Sequence, residues 1–284
     1  MGYIQSIWIS ADGRYVIRTK YHSRRYQPQK TKNRERRIAK HQGTSVCQSK
    51  INLRHRVDEL AKLILNNFKK NDLWVTITLA HLVSYEEYKN VYEKMMRKLR
   101  SFYKKQGKEL KYIAVHENIE GKGRLHGHML IPSLRGNVSE AKEILKKFWL
   151  VGDCDIRMYG GKFGDAKRLA SYIAKEETVL SKLDEQARLI AEYKKTGETD
   201  IKRMMNIKQE IESLRSNICV SKNLVRTKAK KVIITRADTF SDKVRARKGY
   251  HVVPEFSYSF FTEEGYEHQQ TVFEADEVEP FNTM

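Results

Sequence analysis

Between Leu73 and Met158 the order of apolar runs and helical stretches leaves few architectures open. Leu73–Ala80 (LWVTITLA) is rich in β-branched and aromatic residues and reads as a strand. Ser84 then offers a helix N-cap, with Glu87 at the capping-box position, and a helical period runs to about Lys105. Leu110–Glu117 and Leu125–Pro132 read as strands joined by a turn, Asn118–Arg124, that holds two glycines. Ser139–Leu150 reads as a helix and Gly152–Met158 as a weaker strand. The order βαββαβ is the split-βαβ arrangement. The expected fold class is therefore α+β, a ferredoxin-like or RRM-like antiparallel sheet with helices on one face. The other face is then left free to bind something, as it is in RNA-recognition modules.

The flanks divide by charge. The chain has 284 residues and a formal net charge of +20, an excess of little use to an enzyme of small molecules. It favours a polyanionic partner, because cations that neutralise phosphates release condensed counterions. Residues 1–56 hold 14 Lys/Arg against 2 Asp/Glu, whereas residues 250–284 hold 8 acids and no Lys or Arg. This predicts a basic N-terminal arm or lead-in over 1–56, a central domain over 57–235 and a C-terminal extension with an acidic tail over 236–284. Tyr3–Ile17 alternates enough for a hairpin around Asp12-Gly13, and 57–70 has helical period. Residues 178–216, broken near Thr196-Gly197-Glu198, predict an inserted helical hairpin, and Val232–Thr235 a further strand. Tyr250 onward gives weak signals.

Three cysteines without a CxxC spacing argue against a disulfide framework or a zinc ribbon. With no signal-peptide core and no apolar run of membrane-spanning length, a cytoplasmic protein with no membrane partner is expected.

The residue types suited to chemistry cluster in the βαββαβ segment. His126 and His128 flank Gly127 on a predicted strand, so both imidazoles share a face, about 6–7 Å apart. Leu125, Met129 and Ile131 would face the helices, which puts the imidazoles on the open side. Glu117, across the hairpin, offers a third ligand, and the set suits Mg²⁺ or Mn²⁺ with positions left for water and phosphate. Period-2 counting from Ile113 and Val115 as core residues would instead favour His116, and a β-bulge would restore Glu117. Tyr172 and Lys175 lie three apart on a predicted helix over Asp165–Glu177, hence on one helix face. A tyrosine beside a metal-bound phosphate is a candidate nucleophile, and the lysine can offset the charge that develops.

Taken in order, LWVTITLA, HENIEGKGRLHGHMLIP and AKRLASYIAKE resemble the three motifs of the HUH endonucleases, in particular the single-tyrosine rolling-circle replication initiators of plasmids, phages and small viruses. The resemblance covers about residues 70–178. Gly127 departs from the hydrophobic residue usual between the two histidines, and Arg168 and Leu169 stand one turn before Tyr172 where two-tyrosine members carry a second nucleophile. The resemblance implies a metal on the sheet face that positions the scissile phosphate of single-stranded DNA. It implies attack by Tyr172, assisted by Lys175, to give a 5′-phosphotyrosine and a free 3′-OH, and a second transfer that rejoins the ends. The implied partner is single-stranded DNA at a replication origin or its hairpin, with a host DNA polymerase. No GxxxxGK[ST] phosphate loop appears, so a helicase would come from the bacterial or archaeal host or from another protein. Candidate DNA contacts are Arg24, Arg25, Arg34, Arg36 and Arg37 in the arm, and Arg124, Lys167 and Arg168 beside the motifs. A mobilisation relaxase or single-tyrosine transposase would share the chemistry. A non-catalytic nucleic-acid-binding protein would use the basic surface alone.

Overall fold

The computed structural model describes residues 3–22, 45–81, 83–117, 124–134, 138–198, 200–216, 218–234, 240, 244–261 and 265–276. Along the chain run β1 (Tyr3–Ile9), β2 (Tyr15–His22), α1 (Val46–Asn67), β3 (Leu73–Leu79), α2 (Tyr85–Lys105), β4 (Ile113–Glu117), β5 (His126–Ile131), α3 (Val138–Phe148), β6 (Gly152–Met158), α4 (Phe163–Ala174), α5 (Glu176–Thr196), α6 (Ile201–Ser216), β7 (Ile218–Val220), β8 (Lys230–Ile234), β9 (Tyr250–Val252), β10 (Tyr258–Phe261) and β11 (Glu267–Ala275). They form two units, one of residues 43–224 and one that joins 1–42 to 225–284.

In the 43–224 unit the sheet order is β6-β3-β5-β4-β7, all antiparallel. The first four strands carry the ferredoxin-like order that βαββαβ connectivity demands, and β7 extends the β4 edge. The Ser84 capping box is present, with Glu87 returning a carboxylate to the Ser84 amide. One sheet face presents Leu73, Val75, Ile77, Met129, Ile131, Ala114, Cys154 and Ile156 to Met95, Met96 and Leu99 of α2 and Ala141 and Leu145 of α3.

The second face is not open, as the sequence pattern suggested. Ile113, Val115 and Leu130 on that side are wholly buried, and Tyr172 of α4 packs edge-on against Trp74 and His128. A strand buried on both faces reads as a continuous apolar run, so alternation alone cannot say which face of β4 meets α2 and α3.

Helix α1 begins at Val46, well inside the expected arm, with Ser45 as its N-cap accepting from the Gln48 amide. Its charged first half is held by Leu53, which packs with Val179 and Leu183 of α5 and Ile207 and Ile211 of α6. The expected helical hairpin is thus present as α5 and α6, and it clasps the N-terminal end of α1.

The other unit differs from an arm and a tail. β1 and β2 form the expected hairpin, and its two edges are completed by C-terminal strands, β8 on β1 and β11 on β2. β9 and β10 then pair with β11. Val16 and Ile17 of β2 meet Phe273 and Val272 across the ladder, and all four are buried. The expected boundaries at 56/57 and 235/236 therefore do not coincide with these units. Pairing between strands some 250 residues apart leaves no local trace, and the acids of β11 are carried on a strand whose apolar residues face inward. Removing residues 1–50 would delete two strands of this sheet, so it would not test an arm. Among the described residues no helix is long and apolar enough to cross a membrane.

Candidate active site

Strand register assembles the site. Antiparallel partners share a face. Glu117 pairs with His126 and Val115 with His128, while Thr78 and Thr76 pair with the same two histidines from the other side. Glu117, His126, His128, Thr76 and Thr78 therefore share one face with no bulge required. The ligand atoms of Glu117, His126 and His128 all lie within 4.8 Å of one another. His116 pairs with Gly127 and points the other way, where it is 5% exposed, bonded to Tyr88 Oη at 2.8 Å and edge-on to Tyr92. Burial pushes its pKa down to about 4. The counting that favoured His116 fails because Ile113 and Val115 are buried on the site's own face.

Each imidazole has a partner at both ring nitrogens. His126 Nδ1 lies 3.1 Å from the Arg124 carbonyl oxygen, and its Nε2 lies 3.1 Å from Glu117 Oε2. Tyr172 Oη lies 2.9 Å from His128 Nε2, and His128 Nδ1 lies 2.9 Å from Thr76 Oγ1. Trp74 stacks on the His128 ring, planes 3° apart and centroids 5.5 Å apart. Burial pushes the His128 pKa down to about 4, against the pull of Glu117. Its ring is thus neutral throughout the physiological range. Two Nε2 atoms and a carboxylate converging on one point form a donor set for a divalent cation, with the outer nitrogens held by the Arg124 carbonyl and Thr76 as metal-site histidines require. The residues fit the group.

Tyr172 and Lys175 close the site, though not as neighbours on one helix. α4 ends at Ala174, and Lys175 adopts the left-handed conformation, φ +51° and ψ +45°, before α5 starts at Glu176. That costs a non-glycine residue about 1–2 kcal/mol. It carries the Lys175 ammonium to 2.8 Å from Glu117 Oε1, the oxygen that also lies 3.3 Å from Tyr172 Oη. Burial would raise the Glu117 pKa, but the hydrogen bond and charge of Lys175 outweigh it and hold the carboxyl below its usual range. Burial and the Glu117 charge push the Tyr172 phenol up to about 12.

The remaining candidates separate. Lys167 is ion-paired to Asp58 of α1, so it braces α1 against α4 rather than facing solvent as expected of a DNA contact. Arg168 is 83% exposed, 4.0 Å from Asp165. Arg124 supplies the carbonyl that orients His126. Arg24, Arg25, Arg34, Arg36 and Arg37 lie outside the described residues, as do Gly121 and Gly123. Trp74 and Thr76, which touch His128, are not among the candidate residues named from the sequence. The signal available was period 2 along β3, which puts Trp74, Thr76 and Thr78 on the histidine face.

Gly127 has a physical reason. A Cβ there would sit 2.5 Å from Tyr88 Oη and 3.2 Å from His116 Nδ1. Behind the histidine pair the chain has put a buried polar contact in the space a side chain would fill. Gly127→Ala is expected to destabilise by about 1–3 kcal/mol, read by denaturant unfolding. Adding Tyr88→Phe, which removes the clashing oxygen, should return part of the loss. Simple additivity of the two changes would show that the clash is not the cause.

Residues 72–177 match the family described as Replication-associated protein ORF2/G2P. The matched segment runs from the residue before β3 into α5 and contains Glu117, His126, His128, Tyr172 and Lys175. No curated protein and no solved structure matches the chain.

Proposed function

We propose that this replication-associated protein is a rolling-circle initiator that nicks and rejoins single-stranded DNA through Tyr172. The observation that carries this reading is the convergence of the Tyr172 hydroxyl on the donor set, 2.9 Å from His128 Nε2 and 3.3 Å from Glu117 Oε1. A structural tyrosine has no need of a partly exposed position on three groups suited to a cation.

Mg²⁺ or Mn²⁺ held by Glu117, His126 and His128 would polarise the scissile phosphate. Tyr172 Oη attacks the phosphorus and the P–O3′ bond breaks. The 3′ oxygen takes up a proton and leaves as a hydroxyl, while the 5′ phosphate stays on the tyrosine. With its pKa near 12 the phenol is protonated before attack, so it must give up that proton as the new bond forms. Glu117 Oε1, 3.3 Å from Tyr172 Oη, is the acceptor within reach, because the Nε2 lone pair of His128 would be taken by the cation. Lys175, 2.8 Å from Glu117 Oε1, supplies positive charge where phenolate and phosphate meet. One phosphodiester is exchanged for another, so the step runs backwards when a 3′-OH attacks the phosphotyrosine. The free 3′-OH would prime a host polymerase behind a host helicase in the cytoplasm. The net charge of +20 supports a DNA partner, and exposed Arg168 is a candidate phosphate contact beside the site.

The test is a covalent trap. The full chain is incubated with Mn²⁺ and single-stranded oligonucleotides that tile the DNA around its gene. The expected product is a denaturation-resistant protein–DNA adduct, with a second fragment whose 3′ end a polymerase extends. Binding to these strands without any adduct would instead support a non-catalytic nucleic-acid-binding protein.

A further inference from the structure

β6 is the edge strand beside β3. Cys154 and Ile156 point into the core, so Asp153, Asp155 and Arg157 share the opposite face. Their side chains are 77%, 58% and 82% exposed. Register fixes what they stand beside. Asp153 pairs with Thr78, which pairs with His126, and Asp155 pairs with Thr76, which pairs with His128. Arg157 pairs with Trp74, the indole that Tyr172 touches edge-on at 5.9 Å. Each charged side chain is thus two strands from the donor set, on its face. At the Asp153 end the strip meets a cleft of about 770 Å³ lined in part by Thr78, Arg124, Leu150 and Val151.

We infer that this strip, through Asp155 and Arg157, reads the bases next to the scissile phosphate, an inference that rests on the proposed nicking activity. Two carboxylates in a row repel a phosphate backbone, so phosphates cannot be what the strip receives. Bases present what it can bind. A carboxylate accepts from the cytosine amino group, and an arginine fork donates twice to guanine O6 and N7. Unpaired bases expose these edges, and Trp74 in the Arg157 row offers a surface on which a base stacks. Asp153 Oδ1 already accepts from the Cys154 amide at 2.8 Å, which leaves Asp155 and Arg157 as the two readers. Their mutual contact, 3.9 Å between exposed groups, is weak enough for a base to replace. The cleft beyond Asp153 has room for a base turned out of the strand. The competing role is plain: charges on an edge strand also deter pairing with another chain. That role requires a charge, with no preference for any base.

The full chain, with Mn²⁺, is given single-stranded DNA randomised at the positions flanking the cut, and the adducts are sequenced. Wild type should select a guanine and a cytosine at adjacent or near-adjacent positions. Arg157→Lys, which keeps the charge and loses the fork, should relax the guanine preference about tenfold or more and lower total yield less. Asp155→Asn should relax or switch the cytosine position only. Selected sequences identical in wild type and both variants would overturn the inference and leave the edge-guarding role. Loss of adduct on every sequence would overturn it too, because the residues would then serve the chemistry rather than base choice. A wild type that forms no adduct strikes the nicking reading itself, and is distinguishable from both.

Discussion

Tyr172→Phe is expected to leave the protein folded and to lower protein–DNA adduct yield by about 10⁴-fold or more, since removing a nucleophile removes the reaction path. The change deletes one oxygen from a side chain that is 46% exposed, so little packing is at stake. What it takes away is the hydroxyl that lies 2.9 Å from His128 Nε2. The ring remains to pack against Trp74, so a change in melting temperature of no more than a few degrees should accompany the loss. The measurement is the adduct band on a denaturing gel with a labelled single strand, beside a binding assay on the same DNA. Binding should persist, because the change removes no cation. A normal adduct yield from the variant would mean that another of the 15 tyrosines attacks.

The second large effect concerns the donor set. His126→Ala or His128→Ala should reduce Mn²⁺ affinity by about 100-fold or more in calorimetry and remove detectable nicking, since each takes one of three convergent ligands. Glu117→Ala should do the same, and with it free the Lys175 ammonium and the Tyr172 hydroxyl from their shared acceptor. Thr76→Val removes only the partner of His128 Nδ1, and the expected loss is the milder 10- to 100-fold typical of such outer contacts. His116→Ala provides the contrast. It should destabilise the fold, because it empties a buried position bonded to Tyr88, while metal affinity stays as in wild type. Metal binding that survives in both histidine variants, or fails in His116→Ala with the fold intact, would overturn the assignment of the ligands.

Several parts of this arrangement were readable from residues alone. The βαββαβ order followed from local pattern, because strand and helix periods differ and the capping box at Ser84–Glu87 marks a helix start within the chain itself. The side-by-side placement of His126 and His128 followed from the period of a strand, and the inward turn of Met129 and Ile131 from the same alternation. Each of these depends on neighbours a few residues apart.

What only the tertiary structure decided depends on distant partners. The identity of the third group facing the histidines turned on which face of β4 meets α2 and α3, and Ile113 and Val115 are buried on either assignment. The approach of Lys175 to Glu117 requires a left-handed residue between α4 and α5, whereas helical spacing predicted an unbroken turn. Lys167 reads as a free cation until α1 brings Asp58 to it. The two ends of the chain look like a basic arm and an acidic tail because charge is a local property. Their union in one sheet, with β2 beside β11, is set by hydrogen bonds and apolar contacts between segments that the sequence holds some 250 residues apart.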